Sequence, residues 1–260
     1  NYWFSEEVMP YHGWVLPLGI SFYTFQTMSY SIDVYRGDRA PEKHLGYFAT
    51  YVIFFPQLVA GPIERSTNLL PQLRGYFEFS GQRLGYGLAL IIHGLFKKVV
   101  IADGVAPYVD VVFGPEISPS VMTIIMASYG FALQIYCDFS GYSDIAIGCA
   151  WIMGIKLMEN FKRPYMAYSL AKFWSRWHIS LSTWFKDYLY IPLGGNRNRV
   201  YRNLLIVFLV SGIWHGAEWT FAIWGLIHGV GLIAERVFIL NNEPKGVRRW
   251  MRSLLIFHLV

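Results

Sequence analysis

Apolar residues concentrate in stretches near 14–32, 45–60, 84–102, 120–155 and 203–238, and another begins near 250. A helix needs about 20 apolar residues to cross a hydrocarbon core roughly 30 Å thick. Stretches 14–32 and 84–102 have that length. Stretch 45–60 is short, and reads as a tilted span or a partly inserted helix. Stretches 120–155 and 203–238 exceed one crossing and contain Gly141 and Gly216. The pattern predicts a break at each glycine, so that each stretch is a helix pair or a span with a re-entrant piece.

The connecting segments divide by charge. Asp103 to Pro119 carries Asp103, Asp110 and Glu116 and neither Lys nor Arg. The segments around Arg197, Arg199 and Arg202, and from Lys245 to Arg252, are basic. The positive-inside rule puts the basic segments on the cytoplasmic face and 103–119 outside. Two passes through 203–238 satisfy that arrangement, whereas 120–155 satisfies it only with an odd number of crossings.

Segment 156–202 differs from the rest. It mixes Lys162, Arg163, Lys172, Arg176 and Lys186 with Phe161, Trp174, Trp177 and Trp184. Helical spacing aligns Phe173, Trp177, Leu181 and Trp184 in one stripe, with Lys172, Arg176, Thr183 and Asp187 elsewhere. An amphipathic, Trp-rich basic helix is expected to lie at the membrane interface. The turn Pro192 to Asn196 would close it.

Composition sharpens the class. Of 260 residues 54% are hydrophobic and only 15% charged, against about 25% in soluble domains. The mean hydropathy is +0.33. Disorder, a collagen-like fibre and a disulfide scaffold are excluded, and the expected fold is an all-α, multi-pass integral membrane protein. The 22 Lys and Arg outnumber the 17 Asp and Glu, for a net charge of +5. Those basic residues sit in short loops, so membrane topology explains them and no nucleic-acid partner is implied. Cys137 and Cys149 lie in or beside apolar runs and read as packing residues. The chain opens on Asn1 and closes inside the apolar run 254–260, without the form of a signal peptide. Residues 1–260 are therefore expected to be a fragment of a single membrane domain, with flanking helices missing at both ends.

Candidate chemistry rests on the histidines. His12 and His44 lie in polar flanks, and His93, His215, His228 and His258 in apolar stretches. For His93 and His258 a helix-packing hydrogen bond is the plain reading. His215 sits between small residues in Ser211 to Thr220, and its near-neutral pKa type suits a general base. Glu218 would share its face if the helix continued. His178 follows Arg176, whose guanidinium suits a phosphate, either of a headgroup or of an anionic substrate; an interfacial Trp–Arg anchor explains the same residues. Asp138 and Asp144 could form a proton or cation path or mark a solvated helix break. The zinc-protease HExxH, Walker A, GxSxG and GxGxxG patterns are absent, and His215 with His228 makes a weak metal pair. No metal site is expected.

Several runs in order then resemble one family. They are Leu16 to Gln26, Pro164-Tyr165 through Ser182, Trp184 to Asn196, and Trp214-His215-Gly216. Together they resemble the membrane-bound O-acyltransferase (MBOAT) family, in its alginate O-acetyltransferase branch. The resemblance implies an MBOAT-type helical core with an interfacial or re-entrant segment, in the bacterial cytoplasmic (inner) membrane. It implies transfer of an acetyl group from a cytoplasmic thioester donor such as acetyl-CoA, with no bound cofactor. The acceptor would be a hydroxyl on the far side, reached through an extracytoplasmic acetyltransferase partner that decorates a polysaccharide, with membrane lipid as surroundings. His215 corresponds to the family's essential histidine and His178 to its second one. On that reading Glu218 would orient His215, and Asn160, Trp214 and the Gly216 backbone would contact substrate or oxyanion. Arg176 and the basic face of 156–202 would meet the phosphates of coenzyme A. The alternatives are D-alanyl or longer-chain acyl transfer, a proton-coupled transporter using His215, Asp138 and Asp144, or a structural subunit.

Overall fold

A computed structural model describes residues 19–58, 60–115, 117–216, 218–238 and 244–260. His12, Glu116 and the first residues of the 16–26 run lie outside them. Every regular element among the described residues is helical: α1 (Ile20–Arg36), α2 (Leu45–Val52), α3 (Ser66–Leu73), α4 (Gly81–Leu95), α5 (Asp103–Phe113), α6 (Val121–Ile152), α7 (Leu170–Trp174), α8 (Ile179–Phe185), α9 (Val200–His215), α10 (Trp219–Phe238) and α11 (Val247–Leu259). π-helical turns at Phe96–Ala102 and Lys186–Tyr190 extend α4 and α8.

The frame is a long antiparallel pair. α4, its π turn and α5 run head to tail against α6, whose 32 residues span about 48 Å. α6 passes Gly141 without a break, so the expected division of 120–155 does not occur and the stretch forms one continuous helix. Gly141 and Gly148 are contact points instead. A Cβ on Gly148 would lie 2.6 Å from the Gly87 carbonyl oxygen, and one on Gly141 2.7 Å from that of Gly94. The glycines repeat every seven residues on both helices, which lets two backbones approach as only residues without a Cβ permit. The acidic connection is also shorter than expected, because Asp103–Phe113 is helical.

Charge follows the same seam. Lys97 Nζ is 2.6 Å from Asp144 Oδ2, and Lys98 Nζ is 2.6 Å from Asp138 and 2.7 Å from Asp103. Neighbouring lysines on the π turn thus neutralise both aspartates of α6. Asp138 and Asp144 mark neither a helix break nor an unpaired relay.

The second pair, α9 and α10, does reverse at Gly216 as the apolar pattern predicts. Its helices meet at Gly212 and Gly225, each facing the partner's backbone. α6 and α10 are long and apolar enough to cross a membrane.

Segment 156–202 is not one interfacial helix. His178 takes a left-handed conformation (φ 43°, ψ 56°) and separates α7 from α8. The expected stripe therefore splits. Phe173 packs with Leu170, Leu232 and Ile256, whereas Leu181 and Trp184 pack with Phe25, Ile63 and Val207. α8 is tied to α1 where Trp184 Nε1–H donates to the Phe25 carbonyl at 2.9 Å. Tyr188 Oη–H donates to Asp33 Oδ1 at 2.7 Å nearby. Outside the spans, the buried Glu64 carboxylate accepts hydrogen bonds from Asn68 Nδ2 and the Met158 amide, and burial pushes its pKa up.

The glycine seam is testable. Gly94→Val drives a side chain into the Gly141 backbone and is expected to cost about 1–3 kcal/mol, read as a lower unfolding temperature in detergent. Gly85→Ala, on the same helix with open space around it, should leave that temperature unchanged or slightly higher.

Candidate active site

The site is built around the bend at His178. Asn160 holds both sides of it: its carbonyl accepts from the Ile179 amide at 3.0 Å and its Oδ1 from the Ser180 amide at 3.2 Å. Asn160 Nδ2 then donates to Ser143 Oγ on α6 at 3.2 Å. Lys162 N–H to the Arg176 carbonyl, 3.0 Å, closes the far side. Asn160 is 1% exposed and His178 3%. Buried amides must be paired, so this clasp fixes a backbone conformation that a side-chain-bearing residue adopts only under constraint. The ring of His178 is then held between Phe139, Phe22 and Trp214, at centroid separations of 4.6, 6.1 and 6.4 Å. Among the described residues its Nε2 has no hydrogen-bond partner.

His215 arrives from another direction. It is the last residue of α9, released by the extended backbone of Gly216 (φ 175°, ψ 158°). Trp214 and Trp224 flank its ring at 4.7 and 5.2 Å, and the residue remains exposed. His178 and His215, 37 positions apart, line one cavity of about 190 Å³. Leu204, Val207, Phe208, Ser211 and His215 form its α9 wall. Their spacing is one helix face about 16 Å long. Trp174, Leu181 and Phe185 face it, and Lys186 lies on its border. The result is an apolar slot with two imidazoles and one cation.

The other predicted residues fall elsewhere. Trp214 touches both histidine rings but lines a separate cavity with Phe25 and Met28. Asn160 lines a polar cavity with His93, Lys97 and Asp144, and its amide is committed to the clasp. Glu218 does not share a face with His215, because the helix stops at Gly216; its carbonyl opens the first turn of α10. Among the described residues no hydrogen bond joins Glu218 to His215. Arg176 lies on the flank of α7 turned away from the slot, with its Nη1 3.4 Å from the Met166 carbonyl.

His93, His228 and His258 have other partners. His258 bridges Tyr129 Oη at 2.8 Å and the Leu254 carbonyl at 2.7 Å. His93 Nε2 stands 3.8 Å from Asp144. His228 is buried between Trp174 and Trp224 rather than beside a metal ligand set. Among the described residues no three of His, Cys, Asp and Glu converge. Reasoning from residue order missed Trp174, Trp224 and Lys186 as neighbours of the histidines. The available signal was the Ser211–His215 interval of four, which marks a common helix face.

The structure is an all-helical chain, two of whose helices are long and apolar enough to cross a membrane, with two imidazoles on one apolar slot. The model of the MBOAT, membrane-bound O-acyltransferase family matches residues 42–260, and the chain belongs to that family. It is 45% identical over 247 residues to the "Probable alginate O-acetylase AlgI" of Azotobacter vinelandii, covering 93% of this chain and 49% of that protein. It is 43% identical over 256 residues to the "Peptidoglycan O-acetyltransferase" of Helicobacter pylori, covering 86% and 48%. It is 29% identical over 272 residues to the "Teichoic acid D-alanyltransferase" of Bacillus subtilis, covering 96% and 68%. The chain spans about half the length of the first two.

The clasp gives a direct expectation. Asn160→Ala strands two buried groups and should cost about 1–3 kcal/mol, measured by thermal unfolding. Asn160→Asp, which keeps the acceptor for Ser180, should lose less.

Proposed function

We propose that this chain carries the reaction centre of an O-acyltransferase that moves an acetyl group from a cytoplasmic thioester, acetyl-CoA, to a hydroxyl acceptor. The product would serve O-acetylation of an extracytoplasmic polysaccharide through a partner acetyltransferase, in the bacterial inner membrane. The observation that carries this reading is the pair His178 and His215 on one apolar slot bordered by Lys186.

The chemistry follows from that arrangement. A thioester arm needs an apolar passage, and Lys186 offers a counter-charge to a donor's phosphates. At His215 a neutral imidazole nitrogen takes the proton of the acceptor hydroxyl as its oxygen bonds to the thioester carbonyl carbon. The tetrahedral intermediate collapses, the carbon–sulfur bond breaks, and the thiolate recovers that proton from the imidazolium. The extended Gly216 backbone and His178 are the nearest candidates to face the oxyanion. Trp214 and Trp224 keep the His215 ring aligned. Asn160 acts through the position of His178 and not by touching substrate, and Glu218 has no part in orienting the base.

Two observations weigh on the alternatives. A teichoic acid D-alanyltransferase among the relatives keeps D-alanyl transfer as a second reading of the same slot. The proton-coupled transporter loses its relay, since Asp138 and Asp144 are paired with lysines.

The decisive experiment uses the full-length protein in detergent with labelled acetyl-CoA. Wild type should release coenzyme A and label the acceptor. His215→Ala should lower the rate about 10²–10⁴-fold, the size of a general-base contribution, while Glu218→Gln leaves it unchanged. Undiminished transfer by His215→Ala would overturn the assignment of the base; donor turnover only with a D-alanyl thioester would favour the second reading.

A further inference from the structure

The flank of α7 away from the histidines carries a second, chemically different cavity. Lys172 of α7, with Ser175 and Arg176 in the turn after it, lines that cavity, while Trp174, Trp177 and His178 line the slot on the other side. The cavity there has a volume of about 610 Å³ and shares no lining residue with the slot. Among the described residues its walls carry five cations, Lys162, Arg163, Lys172, Arg176 and, from α11, Arg249, and no carboxylate.

Few of these charges are neutralised internally. Lys162 pairs with Glu159 at 3.2 Å, and Arg249 stacks over the Tyr168 ring at 5.7 Å. Among the described residues Arg176 reaches only the Met166 carbonyl. The side chains of Arg163 and Lys172 have no ion pair among the described residues. Convergent cations repel each other, so the arrangement is stabilised by an anion with several acceptor oxygens, which is a phosphate.

The surroundings decide which phosphate. Trp250, on the cavity wall, is 61% exposed, and Met251, Leu254 and Leu255 continue an exposed apolar surface along α11. A soluble phosphate ester needs no such surface, whereas a phospholipid needs it for its chains. The segment from Lys245 to Arg252 is also basic, as expected for the cytoplasmic interface, where basic pockets between helices take anionic headgroups. We infer that this cavity binds an anionic phospholipid, with its phosphate among Arg163, Lys172, Arg176 and Arg249 and its chains beside Trp250 and Leu254. Arg176 is then a lipid ligand and not a contact of the thioester donor. The inference stands apart from the acyl-transfer reading and does not need it.

The test reconstitutes the full-length protein in nanodiscs of phosphatidylcholine with graded phosphatidylglycerol, and counts retained lipid by native mass spectrometry. Wild type should retain phosphatidylglycerol over phosphatidylcholine. Arg176→Gln with Arg249→Gln should cut that retention at least about tenfold. Lys172→Gln, an exposed single change, provides the same readout at smaller size if the double variant does not fold. Adenosine 3′,5′-bisphosphate should not displace the lipid. Equal retention by the folded variants would overturn the site, and displacement by the soluble bisphosphate would reassign it to a nucleotide-bearing ligand.

Discussion

The geometry of the histidine slot depends on how three buried polar groups are satisfied at one bend. The amides of Ile179 and Ser180 leave the helix start pointing into a dry interior, and Asn160 accepts from both. Without an acceptor there, each would carry a desolvation cost that a marginally stable fold cannot absorb cheaply. With it, His178 is held in a left-handed turn with its ring among aromatics. The third bond, to Ser143, anchors the clasp to α6. A side chain expected to touch substrate is therefore what determines where the His178 ring sits.

The anchor is only as rigid as the helix that carries it. α6 stays in place through backbone contact at paired glycines and through two lysine–aspartate pairs on the neighbouring π turn. In a membrane, apolar side chains gain little by leaving lipid for a helix interface, so close packing and charge pairs hold helices together. The polar residues that look functional in α6 are accordingly the ones that build its interface.

Much of this was legible in residue order because it is periodic. The apolar stretches locate α1, α4, α9 and α10, and Gly216 marks the turn between the last two. The same glycine rule misread Gly141, since a glycine serves either to bend a chain or to admit a neighbour, and only the partner helix decides which. The amphipathic stripe through Phe173, Trp177, Leu181 and Trp184 failed for a related reason. Periodicity assumes an unbroken helix, and the break at His178 comes from Asn160, eighteen positions upstream and not helical with it. The histidine pair was identifiable by family resemblance. Its convergence on one slot was not, because it is a property of α8 and α9 packed together.

The two flanks of α7 show how a short element can separate incompatible environments. A neutral imidazole takes up a hydroxyl proton more readily where no cluster of fixed cations opposes formation of the imidazolium, and the slot carries Lys186 alone on its border. Phosphate groups, in contrast, need several fixed cations. Five residues of helix and the turn after them put Trp174, Trp177 and His178 on one side and Lys172, Ser175 and Arg176 on the other. Phe173 stacked on Trp177 at 5.6 Å fills the space between. Had the segment remained one interfacial helix, its aromatic stripe would face lipid and its histidine would sit in the headgroup region. Breaking the helix turns the stripe inward, and the same composition then builds an apolar slot on one side of α7 and a cationic cavity on the other.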